Sequence, residues 1–285
     1  MKHGFLLINK PSGPTSHDMV SAVRKALHER AIGHLGTLDP AACGLLVLAI
    51  GKKALKVIEL YKELTKEYDA HILLGKISTT YDREGVIEDV MTKPGWQIPT
   101  RDQLHATLQE RFEGVIEQVP PAYSAVHIGG YRAYEYARMG VLVAPPARKV
   151  NITRCSIVAY DYPNLCLSVT CTAGTYIRSL AHDLGKVLRS GGYLSELKRT
   201  RVGEWSLMDA KNIENCTWAH VLPLKSVLHS QPSLELTNRE AEEIRYGRDI
   251  TRLISTDTIV WHMGLPLAIV TPNPDGKTAH PRKVL

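Results

Sequence analysis

Residues 45 to 50 read LLVLAI, an unbroken apolar run with no polar residue inside it. A strand with one face in water alternates apolar and polar side chains, whereas an uninterrupted run of this length reads as a buried strand. Whatever feeds such a strand is tied to the core. Here the feeding segment is GHLGTLDPAACG, residues 33–44, a loop punctuated by Gly33, Gly36 and Gly44. It carries His34 and Asp39, and Pro40 fixes the backbone directly behind the carboxylate. An acid and an imidazole on a rigid turn at the edge of the core are the first candidates for chemistry.

The remaining pattern mixes both periodicities. GFLLIN reads as a first strand and PSGPTS as a turn, after which Thr15 or Ser16 caps a helix with Val20, Val23 and Leu27 on its stripe. KALKVIELY is a short helical segment, and KEYDAHILLG a strand. Thr100 with Gln103 forms a capping box ahead of a further helix. VNITRCSIVAY and LCLSVTC read as two more strands. GTYIRSLAHDLGKVL is the clearest helix, with Ile177, Leu180, Ala181, Leu184 and Leu188 on one face. Strands and helices that do not alternate strictly indicate an α+β chain on a mixed, largely antiparallel central sheet. Residues 119–149 are bounded by proline pairs and rich in Tyr and Arg. They suit either an excursion that touches an anionic, stackable partner or an ordinary exposed helix with loops. A connector over 211–230 and a small β-rich module over 231–285 follow a main domain of residues 1–210.

The 285 residues carry 35 Lys and Arg against 29 Asp and Glu, a formal charge of +6. That excess fits a nucleic-acid partner or simply a basic enzyme, and charge alone does not separate the two. Cys43, Cys155, Cys166, Cys171 and Cys216 are odd in number and form no CxxC pair, which argues against a disulfide framework or zinc knuckle and suits a cytoplasmic protein. The N-terminal MKHGFLLINKPSG is too short in its apolar part for a signal peptide, and no run approaches a membrane span of about twenty residues. The glycine and lysine spacing after Gly44 fails the phosphate-loop pattern, and HExxH, GxSxG and paired His/Cys spacings are absent. A reaction without metal or cofactor is favoured.

An Asp before a Pro often caps its own turn, so the pattern leaves Asp39 open between that role and a functional one. Arg178 bears on the choice. It sits in the first turn of the GTYIRSLAHDLGKVL helix, off the apolar stripe, where a cation opposes the helix dipole. It is either a solvated surface arginine or the partner of an anion. Paired with a carboxylate, it would hold that group ionised and aimed even when buried, and an Arg-held Asp is a candidate nucleophile. Tyr68 is an ordinary strand aromatic unless the substrate is flat, in which case it becomes a stacking platform and a proton acceptor.

Taken together, these segments resemble the bacterial TruB-type tRNA pseudouridine-55 synthases. The resemblance rests on KPSGPTSHDMV, GHLGTLDPAACGLLVLAIGKKALK, KEYDAHILLGKISTTYDREG, VPPAYSAVHIGGYRAYEYAR, CTAGTYIRSLAHDLG and YLSELKRTRVGEW, which follow in family order over residues 4–209. It departs from the family at Ala41-Ala42-Cys43, where a larger apolar residue followed by Ala-Thr is usual. The resemblance implies the pseudouridine synthase fold with a short C-terminal PUA-like domain. It implies isomerisation of a flipped T-loop uridine with Asp39 as nucleophile, Arg178 as its partner and Tyr68 against the uracil, without cofactor or metal. It also implies RNA contacts from His34, Gly36, Lys10, Tyr123, Arg132, Arg138, Tyr176 and Arg199, with 119–149 gripping the T-loop. The implied partner is tRNA, through the T-arm and with the acceptor arm as a further contact, for a monomer with no obligatory protein partner. The competing class is a non-catalytic tRNA-binding or folding protein on the same scaffold, against which the intact Asp39, Tyr68 and Arg178 argue. The related guide-RNA-dependent synthases have longer, more basic chains.

Overall fold

The computed structural model describes residues 3–124, 126–141, 143 and 145–285, and Arg138 by its backbone alone. A ten-stranded mixed sheet organises residues 4–223. Its main path begins with Leu222–Pro223 and continues through Gly4–Lys10, Cys43–Ile50, Gly192–Val202 and Lys66–Leu74. Asn164–Cys171, Arg148–Asp161 and Gly114–Gln118 complete it. Neighbours along this path run antiparallel except at one seam, where Lys198 and Arg199 pair in parallel with Cys43 and Gly44. The seam therefore brings Arg199 beside the start of the LLVLAI strand. Gly44 is required there: a Cβ would lie 2.3 Å from the Arg199 carbonyl oxygen, and φ is +102°.

The apolar run is buried on both faces, as its lack of alternation implies. Leu46, Leu48 and Ile50 join a core with Met19, Val20, Val23 and Leu27 of the Ser16–Leu27 helix and Ile177, Leu180, Ala181 and Leu184 of the Ile177–Leu188 helix. Leu45, Val47 and Ala49 point the other way, into a second core with Phe5, Tyr61 and Trp205. Each fully buried side chain of this size contributes roughly 1.5–3 kcal/mol, so the loop ahead of the strand is attached to a strand anchored in two cores.

The expected capping box forms, and the first helix adds one of its own. Thr100 closes with Gln103, and Thr15 rather than Ser16 caps the first helix, with Asp18 completing the box. Ser16 turns inward: its hydroxyl donates to the Leu38 carbonyl and accepts from the Leu38 N–H, both at 2.9 Å. Within 119–149 a two-residue hairpin, His127–Ile128 with Tyr131–Arg132, leads into the helix Ala133–Arg138. The C-terminal part is a four-stranded sheet in the order Ser233–Glu235, Thr258–His262, Leu265–Pro272, Ala279–Val284, with the helix Asn238–Arg245. Ile259 and Ile269 of that sheet enter the second core, and Arg282 and Lys283 both pair with Glu59. No helix among the described residues is long and apolar enough to cross a membrane.

Candidate active site

The loop from Gly36 to Ala42 is held by its carbonyls. Arg199 donates from Nη2 to Gly36 at 3.0 Å and from Nη1 to Thr37 at 3.5 Å, while its Nε donates to Leu45 at 2.8 Å. Ser16 takes Leu38. The Asp39 carbonyl accepts from the Ala42 N–H, and that of Pro40 from Gly13. The Lys10 ammonium donates to Pro11, Pro40 and Ala42 at 2.9, 3.2 and 2.6 Å, and Ser12 donates to Ala41 at 3.0 Å. Carbonyl after carbonyl is satisfied by a side chain or turn from elsewhere in the chain, which leaves the loop one conformation. Pre-organisation of this kind is what a reacting group needs.

Lys10 and Arg199, expected to contact RNA, are both buried, and Arg199 in addition lines the wall of the cleft described below. Lys10 is 0% exposed and Arg199 1% exposed, and both spend their donors on loop carbonyls instead of reaching solvent. They hold the candidate site together from within. Burial pulls the Lys10 ammonium down in pKa, with Cys43 and Asp39 acting the other way.

The Asp39 side chain is 38% exposed at the mouth of the loop. Its Oδ2 lies 3.0 Å from Arg178 Nε, an ion-pair contact in which the Nε–H is not aligned as a hydrogen bond. Arg178 is buried, with 6% exposure, and spans two acids: its Nη1 sits 3.3 Å from Oδ2 of Asp82, itself 7% exposed. Its Nη2 also donates to the Tyr123 carbonyl at 3.0 Å. The two carboxylates outweigh the unfavourable helix dipole at this second residue of the Ile177–Leu188 helix. Asp82 is fixed in turn by the Thr80 hydroxyl at 2.5 Å and the Glu84 N–H at 3.0 Å, both donating to Oδ1. Burial and the neighbouring Asp82 and Asp39 push the Glu84 carboxyl up.

An open cleft of about 680 Å³ lies over this group. Four tyrosines line it, Tyr68, Tyr123, Tyr134 and Tyr176, together with the cations Lys66, Arg132, Arg178 and Arg199 and the acids Asp39, Asp82 and Glu84. Tyr68 is buried opposite Arg199 on the neighbouring strand. Burial pushes its phenol up in pKa, and the Arg199 guanidinium opposes that only in part. Tyr176 caps the Ile177–Leu188 helix, exchanges two hydrogen bonds with Gln118, and has the Arg148 guanidinium 4.8 Å from its ring centroid. Gly36, at φ +78°, contributes backbone to the wall. Behind Asp39 a gap of about 10 Å³ is lined by the small residues Ala41 and Ala42 together with Asp82 and Arg178.

The structure thus gathers Asp39, Tyr68, Arg178, Gly36, Tyr123, Arg132, Tyr176 and Arg199 around one cleft, and leaves Lys10 behind the loop. His34 is half-buried and is not among the lining residues. Burial, with help from Arg199 and His17, pulls its imidazole down, so it is neutral at physiological pH. The side chain of Arg138 lies outside the described residues.

Residues 24–177, more than half of the chain, match the family model described as TruB family pseudouridylate synthase, N-terminal domain. The chain belongs to this family. This TruB-family chain is 43% identical over 252 residues to the tRNA pseudouridine synthase B of Heliobacterium modesticaldum, covering 86% of its own length and 80% of that protein. To the Bacillus pumilus protein of the same name it is 36% identical over 261 residues, with 87% and 83% covered. Among solved structures, a chain of a Cbf5-Nop10-Gar1 complex superposes with a TM-score of 0.73 at 23% identity, over 99% of this chain and 84% of that one. The pseudouridine synthase fold is therefore shared well beyond the range of close sequence similarity.

Sequence reasoning missed Asp82, Thr80, Glu84 and Lys66 in this TruB-family site. Asp82 and Glu84 lay inside a quoted block, STTYDREG, as two acids flanked by hydroxyls. An acid followed within three residues by glycine is an ordinary turn pattern, so nothing local marked the second carboxylate. Lys66 reads as a strand-edge lysine, yet it is buried on the cleft wall and donates to the Leu64 carbonyl at 2.8 Å.

Proposed function

We propose that this pseudouridine synthase acts on tRNA, flipping the T-loop uridine at position 55 into the cleft and isomerising it with Asp39 as nucleophile. The observation that carries the reading is the Asp39–Arg178–Asp82 arrangement: one carboxylate open to the cleft, tied through a buried guanidinium to a second that is closed off. A nucleophile must be accessible and aimed, and its support must not compete for the substrate. That division of roles is what two acids on one arginine provide. The tRNA pseudouridine synthase B relatives support tRNA as the substrate, and the excess of positive charge supports a polyanion.

In this reading the flipped uracil lies against Tyr68, and Tyr123, Tyr134 and Tyr176 offer faces to the neighbouring bases. The Asp39 carboxylate adds to the nucleoside, the N1–C1′ glycosidic bond breaks, and the base turns within the cleft. Carbon 5 then bonds to C1′, its proton leaves, N1 ends protonated, and Asp39 is released. No atom is gained or lost. Tyr68 serves as the wall for the uracil. With its phenol pushed above the ordinary tyrosine range it arrives protonated, so its oxygen takes the carbon 5 proton only as its own proton moves on. Arg132 docks phosphates at the rim, His34 donates or accepts as a neutral imidazole, and the four-stranded C-terminal module acts as a PUA-like RNA contact toward the acceptor arm.

The test uses a T-arm stem-loop RNA tritiated at carbon 5 of its uridines. The wild type is expected to release tritium without added metal or cofactor, and Asp39→Asn to bind the RNA but release none. Release by Asp39→Asn would remove the nucleophile assignment. Tight binding with no release by either protein would favour a folding role on the same scaffold.

A further inference from the structure

Helix positions four apart lie on one face. On the Ile177–Leu188 helix, Arg178 and His182 are such a pair, and they meet two successive residues of the same turn. Arg178 meets Asp82, and His182 meets Tyr81, whose ring lies over the imidazole with centroids 3.7 Å apart and planes 11° from parallel. We propose that Tyr81 and His182 are a positioning pair: their stack locks the turn bearing Asp82 against the helix bearing Arg178, and so sets the orientation of Asp39. The proposal rests on the role assigned to Asp39 and Arg178 above.

Three further observations carry it. Tyr81 is held at φ +65°, the left-handed region a non-glycine residue adopts only when its surroundings over-determine it. The surroundings here do so: the Tyr81 carbonyl accepts from Leu194 N–H at 2.9 Å, its N–H donates to Ser78 at 3.1 Å, and the Ser78 hydroxyl donates to the Asp82 carbonyl. Neither ring is among the residues that line the cleft, whereas Thr80 and Asp82 on either side of Tyr81 are. The pair thus acts on the reaction through its neighbours and not by touching RNA. Finally, His182 Nδ1 is buried without a hydrogen-bond partner, so this imidazole is retained without the polar contact that would otherwise explain it. Burial pulls it down to about 4, which leaves a neutral ring for stacking.

The left-handed backbone supplies the experiment, because glycine is at ease there. Tyr81→Gly removes the ring while relieving the strain, and so separates positioning from stability. Tyr81→Gly, Tyr81→Phe, His182→Ala and the Tyr81→Gly/His182→Ala double variant are compared with wild type by tritium release from the T-arm RNA, and by melting. For Tyr81→Gly the expectation is a kcat lowered about tenfold or more, with KM within about twofold and the melting temperature retained. Tyr81→Phe keeps the ring and is expected to match wild type. The double variant is expected to be no slower than the slower single one, since both remove the same contact. A wild-type kcat in Tyr81→Gly, a rise in KM alone, or single losses that multiply would each overturn the proposal. A wild type that releases no tritium would instead overturn the reading of the site, and the proposal with it.

Discussion

Replacement of Arg178 by methionine removes the guanidinium between two acids and keeps an unbranched chain in the same slot. Asp82 then stands buried without its counter-ion, supported among the described residues by the Thr80 hydroxyl and the Glu84 amide. Breaking a buried pair from one side costs roughly 3–5 kcal/mol. Asp39, more than a third exposed, recovers part of its share from water, so the expected loss is about 3 kcal/mol. At about 2–4 °C per kcal/mol for a chain of this size class, the melting temperature falls by about 6–12 °C. The rate falls separately. Asp39 loses the contact that aims it, and a displacement of about 1 Å costs about a hundredfold. The Arg178→Met/Asp82→Asn double variant separates the two effects. Neutralising Asp82 removes the stranded charge, so most of the melting temperature returns, while Asp39 remains unaimed and the rate stays low. Single-turnover tritium release with excess enzyme reads the rate, and circular dichroism reads the melt. A single variant that melts and turns over like wild type would show that Arg178 holds nothing. A double variant with restored rate would show that it works only through stability.

Other expectations follow from the same geometry. Lys10→Met strands the Ala42 carbonyl, leaves Pro40 with the Gly13 N–H alone, and lowers both stability and kcat; because the ammonium is fully buried, the salt dependence of RNA binding keeps its slope, whereas a phosphate contact would shift it by about one. Gly44→Ala drives a Cβ into the Arg199 backbone across the parallel seam and is expected to abolish soluble expression or lower the urea midpoint severely. His182 has a folded pKa of about 4 against an ordinary 6.5, so the unfolded chain takes the proton first and stability rises with pH between about 4 and 6.5. His182→Phe removes about 1–2 kcal/mol of that slope, discounted for its partial exposure, as read by urea denaturation across the window. Glu240 has the same sign in a more acidic window: its hydrogen bonds to Arg252 hold it at about 2, so its contribution is full above 4.5 and lost as pH falls toward 2. Glu240→Gln is expected to cost about 1 kcal/mol at pH 7 after screening, with the difference from wild type shrinking through that acid window.

What was legible in the sequence was whatever depends on near neighbours. The LLVLAI run announced a strand buried on both faces because periodicity is a local property, and the structure divides its side chains between two cores. Thr100 with Gln103, and the stripe from Ile177 to Leu184, are likewise spaced three or four residues apart. Asp39 stood out because the turn that carries it is local too. The exact cap of the first helix did not: Thr15 and Ser16 are both good caps, and only the distant Leu38 decides which of them turns inward.

The burial of the two cations was not legible for a related reason. In composition a lysine or arginine in a chain of positive net charge counts toward a polyanion, and in position Lys10 and Arg199 sit where strands meet loops. What takes them inside is a set of carbonyls 30 residues away for Lys10 and more than 150 away for Arg199. Neither distance leaves a periodic trace. A loop that must hold one conformation against a flipped nucleotide cannot use its own N–H groups for every carbonyl, because doing so would make it a helix or a strand. It needs donors from outside, and a side chain with several donors on a long stem satisfies several carbonyls at once. A rigid irregular loop over a reacting carboxylate therefore calls for buried cations whether or not the partner is RNA. Positive charge near such a loop is evidence about the loop before it is evidence about the ligand.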